Sequence, residues 1–112
     1  MAMLVRRLNV DDAGEYLAIR REMLVDSPLS FGSSPEDDRF QSEADVRAAL
    51  ARPAAEYAIV GAFDGDRLVG AAGVHREGRA KTRHVASIWG VYVRPAWRGR
   101  GLGKAVSSAA VE

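Results

Sequence analysis

The stretch from Arg98 to Lys104 combines three glycines with three cationic side chains, a composition suited to holding a phosphate group. Glycine lets the backbone approach a ligand closely and adopt dihedral angles that a Cβ atom would forbid. A helix that begins here would direct unpaired N–H groups and the positive end of its dipole towards an anion. Arg98, Arg100 and Lys104 would add full positive charges. The predicted chemistry is therefore phosphate binding.

Two other phosphate-binding motifs fit this stretch poorly. A dinucleotide-binding fingerprint needs Gly-x-Gly-x-x-Gly and an acidic residue about 20 residues later, whereas the glycines here have a different spacing. A Walker-type loop needs Ser or Thr after its lysine, but Ala105 follows Lys104. The remaining alternative is an ordinary flexible turn that caps a helix.

The distribution of charge favours an anionic ligand. Residues 1–75 contain 8 Lys or Arg and 13 Asp or Glu, whereas residues 76–112 contain 8 and 2, so a net charge of −5 is followed by one of +6. A basic segment of this kind attracts nucleic acid or a smaller anion. Because the basic residues adjoin glycines and a strand end instead of lining one helix face, a compact phosphate-bearing small molecule is favoured over nucleic acid.

Composition bounds the class of protein. At 112 residues, with 47% apolar and 28% charged residues, the chain is expected to form one globular domain at most. It contains no cysteine, which excludes disulfides, thiolate catalysis and cysteine-ligated zinc. No apolar run approaches the roughly 20 residues of a membrane span, and the N-terminus lacks a secretory signal. We therefore expect a cytoplasmic protein that does not engage a membrane.

The elements around the stretch are predicted in the order strand, helix, helix, hairpin, strand, helix. Strands are predicted where apolar residues recur every second position, and helices where they recur every third or fourth position. Asp, Gly and Pro mark the boundaries of these elements. The first strand is predicted at Met3 to Leu8, the first helix is opened by Asp11 or Asp12 and ended by Pro28, and the second helix spans Ser42 to Arg52. The hairpin pairs Tyr57 to Phe63 with Leu68 to Val74 and turns at Asp64-Gly65-Asp66. The last strand spans Val85 to Val93, and the last helix has its apolar stripe at Leu102, Ala105, Val106, Ala109 and Ala110.

The last predicted strand carries a detailed expectation. Strict alternation places Trp89, Val91 and Val93 on one face and Tyr92 on the other. Gly90 within the strand predicts a bulge or a close approach of another group to the backbone. The helix that follows has a clean amphipathic stripe. Because no later strand is present to cover it, we expect that stripe to be partly unburied.

From Val91 to Ala105 the sequence resembles the GNAT superfamily of N-acetyltransferases. The family signature of Arg or Gln, two residues, Gly, one residue, then Gly or Ala corresponds to Arg98-x-x-Gly101-x-Gly103. The Asp-Gly hairpin with Leu68-Val69-Gly70 and the pair Asp11-Asp12 extend the resemblance upstream. It implies an α/β fold with a mixed, mostly antiparallel sheet of about four strands and three helices, in which residues 1–112 form one domain lacking the C-terminal strands.

The resemblance also implies acetyl-coenzyme A as the acetyl donor and a primary amine of a small molecule or protein as the acceptor, with no metal. The pyrophosphate would lie on the amides of residues 99–104, the pantetheine arm would pair with the preceding strand, and a bulge amide at Gly90 would polarise the thioester carbonyl. The implied binding residues are Val91, Tyr92, Val93, Arg98, Gly99, Arg100, Gly101, Leu102, Gly103 and Lys104.

The sequence departs from the family in its acid–base residues. Many members carry a glutamate on the fourth strand, but Val85 to Val93 contains no carboxylate, and Ser87 is a poor base. A fifth strand and a later tyrosine are also absent, so the catalytic residues are unassigned and are expected beyond Glu112. The alternative to an enzyme is a non-catalytic module that binds coenzyme A or associates, for example as a homodimer, through an open strand edge.

The remaining chemistry-bearing residues have plainer interpretations. His75 and His84 are expected at the surface near strand ends, since no third metal ligand is apparent. The acidic run of residues 36–38 is interpreted as a solvated loop, and the alternative is that it attracts a cationic acceptor amine. The basic run of residues 76–83 is likewise interpreted as a solvated loop, and the alternative is that it binds the 3′-phosphate of the cofactor. Phe31 is either a wall of an acceptor pocket or an anchor of the core. Trp89 is expected to belong to the core.

Overall fold

The computed structural model describes residues 3–26, 36–53, 56–76 and 86–111. The order of strands and helices is the predicted one, with two additional single-turn 3-10 segments. The strands are β1 (Met3–Arg7), β2 (Tyr57–Asp64), β3 (Arg67–Arg76) and β4 (Ala86–Val93); the α-helices are α1 (Ala13–Asp26), α2 (Glu43–Leu50) and α3 (Leu102–Val111); the 3-10 turns are Val10–Asp12 and Pro95–Trp97.

The four strands form one sheet in the order β1-β2-β3-β4, and every neighbouring pair is antiparallel. The predicted turn between β2 and β3 is confirmed, with Gly65 at a φ of 62°, a conformation that favours glycine. In the described part of the chain, β4 therefore forms one edge of the sheet. The α/β class with a four-stranded sheet and three helices agrees with the expected fold.

The sheet separates two apolar clusters. Residues of β2 alternate between them, so that Ile59 and Phe63 pack with α1 and α2 while Val60 and Ala62 pack with α3. Burial on both faces explains why β2 is an almost continuous apolar run. The two faces thus place α3, which follows the glycine-rich stretch, on the side opposite α1 and α2.

The expectation of a partly unburied stripe on α3 is confirmed only at its margin, where Ala105 and Ala109 are half-buried. Leu102, Val106 and Ala110 are all buried, with Val106 fully enclosed. The reason is that α3 lies across the sheet and contacts all four strands, so the sheet already present supplies its apolar partner. Among the described helices, none is both long and apolar enough to cross a membrane.

The start of α1 differs from the expected cap. Asn9 caps the preceding 3-10 turn by accepting a hydrogen bond from the Asp11 amide at 2.9 Å. The Asp12 carboxylate accepts the Asn9 amide in return at 2.8 Å and pairs with Arg6. This reciprocal arrangement satisfies N–H groups that a helix start leaves unpaired. It places α1 directly after the turn, with its buried face on the sheet.

Candidate functional site

Two hydrogen bonds hold the segment that leads from β4 into the glycine-rich stretch. The Arg94 amide donates to the carbonyl of Val69 at 2.8 Å, and a 3-10 turn follows at once. Within that turn, the Trp97 indole N–H donates to the Asp64 carboxylate at 3.2 Å while its ring packs against the α3 side of the core. Trp97 therefore fixes where the chain leaves the sheet.

Gly99 and Gly101 require glycine for conformational reasons. Their φ angles are 82° and 75°, a region that residues with a Cβ atom rarely adopt. A Cβ atom at either position would meet no other described atom within 4 Å, so space is not the constraint. Gly103 lacks a positive φ, and a Cβ atom there would make an ordinary contact with Val93. The two left-handed glycines turn the backbone into the start of α3.

The start of α3 offers N–H groups to an anion. The Ala105 amide donates to the carbonyl of Gly101 at 3.0 Å, which begins the helical hydrogen bonding. The amides of residues 102–104 precede it and have no acceptor within the helix. Arg100 and Lys104 are exposed beside them and form no ion pair with any residue that the structure describes. The arrangement can bind a phosphate through amides, helix dipole and side-chain charge together.

Arg98 differs from these two cations because its guanidinium is engaged within the protein. It lies 2.8 Å from the carboxylate of Asp26, at the end of α1, and its Nε donates to the carbonyl of Val93 at 2.9 Å. The Tyr92 hydroxyl donates to the same Asp26 carboxylate at 3.3 Å. Hydrogen bonding to Asp26 raises the pKa of Arg98. Arg98 thus joins the glycine-rich stretch to α1.

The predicted bulge in β4 lies at Gly90, which has a φ of 59°. Ala71 pairs with Tyr92 and Gly73 with Trp89, so two residues of β4 oppose one residue of β3. The extra residue reverses the alternation of side chains. Tyr92 and Trp89 consequently pack on the α1 side, whereas Val91 packs on the α3 side. The expectation that Trp89 faces the same way as Val91 and Val93 is therefore wrong.

Sequence comparison decides the family. The sequence profile described as the acetyltransferase (GNAT) family matches residues 17–112, which is most of the chain. The chain belongs to the GNAT acetyltransferase family. Among curated protein sequences, none matches this GNAT domain significantly.

Solved structures share the fold of this GNAT domain. The PaiA N-acetyltransferase of Thermoplasma acidophilum, in complex with coenzyme A, matches with a TM-score of 0.77 at 17% identity over 98% of this chain and 70% of that one. AAC(6')-Iy, bound to the bisubstrate analogue CoA-S-monomethyl-acetylneamine, matches with a TM-score of 0.74 at 18% identity over 98% and 69%. A GNAT-family acetyltransferase of Streptococcus pneumoniae matches with a TM-score of 0.71 at 18% identity over 98% and 65%. The chain spans about two thirds of the length of these structures.

A buried ion pair in this GNAT domain lies behind the bulge. Arg20 donates through Nε and Nη2 to the two carboxylate oxygens of Asp38, at 2.9 and 2.8 Å. Both residues are only 6% exposed, so the interpretation of Asp38 as part of a solvated loop is wrong. Burial opposes the charge of Arg20, yet the hydrogen bonds and charge attraction from Asp38 and Tyr16 together outweigh that effect, and the pKa of Arg20 is raised. Burial also raises the pKa of neighbouring Tyr16 to about 12.

Trp89 extends this cluster towards β3. Its ring crosses over Gly73, where a Cβ atom would lie only 2.2 Å from the indole. It stacks on Phe40 at 6.3 Å and packs against Tyr57 at 5.5 Å between ring centres. Within the described residues, the indole N–H is buried and has no hydrogen-bond acceptor. Trp89 belongs to the core, as expected, although on the opposite face of the sheet.

Other candidate residues are not drawn into the site. His75 is exposed on β3, and no cluster of metal-ligating side chains occurs among the described residues. Phe31, His84 and most of the basic run of residues 76–83 lie outside the described residues. Sequence reasoning missed the pairing of Arg20 with Asp38. The available signal was an arginine interrupting the apolar face of a predicted helix, which needs an acidic partner when buried.

Proposed function

We propose that this domain transfers an acetyl group from acetyl-coenzyme A to a primary amine of a small molecule or protein. The observation that supports it most strongly is that the glycine-rich start of α3 directly follows a bulged edge strand. An anion site thereby adjoins a row of strand amides and carbonyls at which an extended ligand can bind. The relatives solved with coenzyme A and with a bisubstrate analogue share this fold and support the same assignment.

The donor is proposed to bind with its pyrophosphate on the amides at the start of α3. Arg100 and Lys104 would neutralise the phosphates, and the β4 backbone would hold the pantetheine arm by β-strand addition. Arg98 would contribute by holding the loop in position. The proposed binding residues are Val91, Tyr92, Val93, Arg98, Gly99, Arg100, Gly101, Leu102, Gly103 and Lys104. Since the phosphates lie beyond Val93, the acyl end of the donor would point back along β4 towards Gly90.

Acetyl-coenzyme A supplies the acetyl group as an activated thioester. The chain's own part in the reaction is to orient that thioester against β4 and to present a backbone N–H of the bulge to its carbonyl oxygen. The acceptor amine must lose a proton during the transfer. β4 carries no Asp, Glu or His, so the residues that take and return protons are not assigned to this strand.

The lack of an acid–base side chain on β4 also supports a second candidate function. The domain would bind coenzyme A without turning it over, or associate with another copy through the edge of β4 that no other described strand pairs with. Such a module would retain the phosphate-binding half of the site. Turnover separates it from the enzyme, and sedimentation separates a monomer from an associated form.

The proposal is tested by thermal denaturation with acetyl-coenzyme A, followed by an amine panel with detection of the free thiol. A ligand at a hundredfold excess over its Kd stabilises the native state by about 2.7 kcal/mol. Arg100→Gln with Lys104→Gln should reduce that shift, while Arg47→Gln on α2 serves as a remote control. No shift with millimolar acetyl-coenzyme A would overturn the donor site, and a shift without thiol release would favour the non-catalytic module.

A further inference from the structure

Stability alone does not account for the buried ion pair of Arg20 and Asp38. Moving two charges out of water costs several kcal/mol per ion, and apolar residues of similar volume often stabilise a fold equally well. The pair is nevertheless fully formed, with two short hydrogen bonds between side chains that are 7% and 3% exposed. Its position therefore indicates a role beyond packing.

The orientation of the Arg20 guanidinium is set from three sides. Asp38 occupies Nε and Nη2, while the rings of Phe40 and Trp89 lie 5.3 and 5.6 Å from the guanidinium carbon. The remaining nitrogen, Nη1, lies 3.0 Å from the point that a Cβ atom of Gly90 would occupy. The edge of the guanidinium that Asp38 does not bind is thus held against the bulge, and Tyr16 also hydrogen-bonds to the guanidinium.

This contact couples α1 to the conformation of the bulge. Gly90 has the left-handed φ that makes two β4 residues oppose one β3 residue, and Nη1 occupies the space that a side chain there would need. Asp38 balances the charge of Arg20 but binds the opposite edge of the guanidinium, so the positive end of the ion pair faces the bulge and makes the electrostatic potential at its amides more positive. In the proposed binding mode, those amides face the carbonyl oxygen on which negative charge develops.

We propose that Arg20 is a positioning residue for acetyl transfer, which holds the Gly90 bulge and its amides against the reacting carbonyl, and that Asp38 orients Arg20. This inference rests on the proposed function. It assigns Arg20 an effect on the chemical step and none on the binding of phosphates, because the glycine-rich loop lies at the far end of the donor. Arg20 acts through Gly90 and does not itself touch the substrate.

The decisive variant is Arg20→Met combined with Asp38→Leu, which replaces the pair with apolar side chains. Since such replacements commonly preserve folding, the double variant should retain its melting temperature and its KM for acetyl-coenzyme A. Its kcat should fall by about tenfold or more, because the bulge loses its support and its positive potential. Arg20→Lys with Asp38 intact should restore part of kcat. An unchanged kcat in a folded double variant would overturn the proposal.

A second measurement tests Arg20 independently of activity. In the ligand-free protein, the 1H–15N resonances of the Gly90 amide and the Trp89 indole should shift in the double variant. A matched control, Arg6→Met with Asp12→Asn, removes an ion pair from a site elsewhere while keeping an acceptor oxygen for Asn9, and should leave both resonances in place. Unshifted resonances in the Arg20 variant would refute the bulge contact. If the resonances shift in the double variant but the wild-type protein shows no turnover, the contact between Arg20 and the bulge stands and the acetyltransferase function is refuted instead.

Discussion

The guanidinium of Arg98 lies 2.8 Å from the carboxylate of Asp26, so the glycine-rich loop is tied to the last residue of α1. The two residues are 72 positions apart in sequence. The Arg98 guanidinium also lies 5.3 Å from the centre of the Tyr92 ring, and the Tyr92 hydroxyl donates to the same carboxylate. The arginine that begins the family signature is therefore a structural link in this chain, while Arg100 and Lys104 remain available to an anion.

This link predicts how substitutions at its two ends affect the donor. Arg98→Gln and Asp26→Asn should each weaken binding of acetyl-coenzyme A, because each releases the loop from α1. The effects should be only a few-fold, since both side chains are exposed and solvent screens the pair. The double variant should bind about as weakly as either single variant, as measured by isothermal titration calorimetry. Tighter binding by Asp26→Asn would show instead that Arg98 is a phosphate ligand held back by Asp26.

The positive φ angles predict unequal costs for alanine in the loop. Gly99→Ala and Gly101→Ala force an alanine into the left-handed region and should each destabilise the folded domain by about 1–2 kcal/mol. Gly103→Ala lies within α3 at an ordinary φ and should cost nothing or stabilise the helix. Urea unfolding of each variant measures this loss of stability. Equal losses of stability at positions 101 and 103 would contradict the conformational argument.

The indole of Trp89 explains why position 73 is glycine. Gly73→Ala would place a methyl group 2.2 Å from the ring and should destabilise the domain by about 1–3 kcal/mol through overpacking. Combining it with Trp89→Leu should abolish that additional cost, because the smaller side chain leaves room. Gly70→Ala, where the nearest atom would be 3.4 Å away, is the matched control and should cost less. These comparisons use denaturant unfolding, and a cost that persists beside Trp89→Leu would refute the contact.

Burial of Tyr16 predicts a loss of stability at alkaline pH. Its pKa is raised from 10.0 to about 12 in the folded state, so the unfolded chain gives up this proton first as the pH rises. The stabilisation is complete below pH 10 and is lost as the pH rises towards 12, by about 2–3 kcal/mol in total. Tyr16→Phe should therefore flatten the decline in unfolding free energy over this range. Tyr92→Phe should retain most of it, and an identical decline in Tyr16→Phe and wild type would exclude Tyr16 as the cause.

The secondary structure and the glycine-rich loop before α3 could be predicted because both depend on neighbouring residues. The turn at Asp64-Gly65-Asp66 and the stripe of α3 follow from local dihedral preferences and a helical period. The spacing Arg98-x-x-Gly101-x-Gly103 likewise brings glycines, cations and a helix start together within one short segment. The bulge at Gly90 was also predictable, since a glycine within a strand already indicates an irregularity.

By itself, the sequence determined the order of elements, the fold class and the location of the glycine-rich helix start that we propose as the anion site, because chain spacing alone brings those residues together. Only the tertiary structure decided which side of the sheet Trp89 faces, because one extra residue in a bulge reverses every side chain on one side of it. The tertiary structure also decided which carboxylates pair with Arg20 in the core and with Arg98 in the glycine-rich loop. Arg20 reaches Asp38 across 18 positions, and Arg98 reaches Asp26 across 72, so both pairings depend on how α1 packs on the sheet.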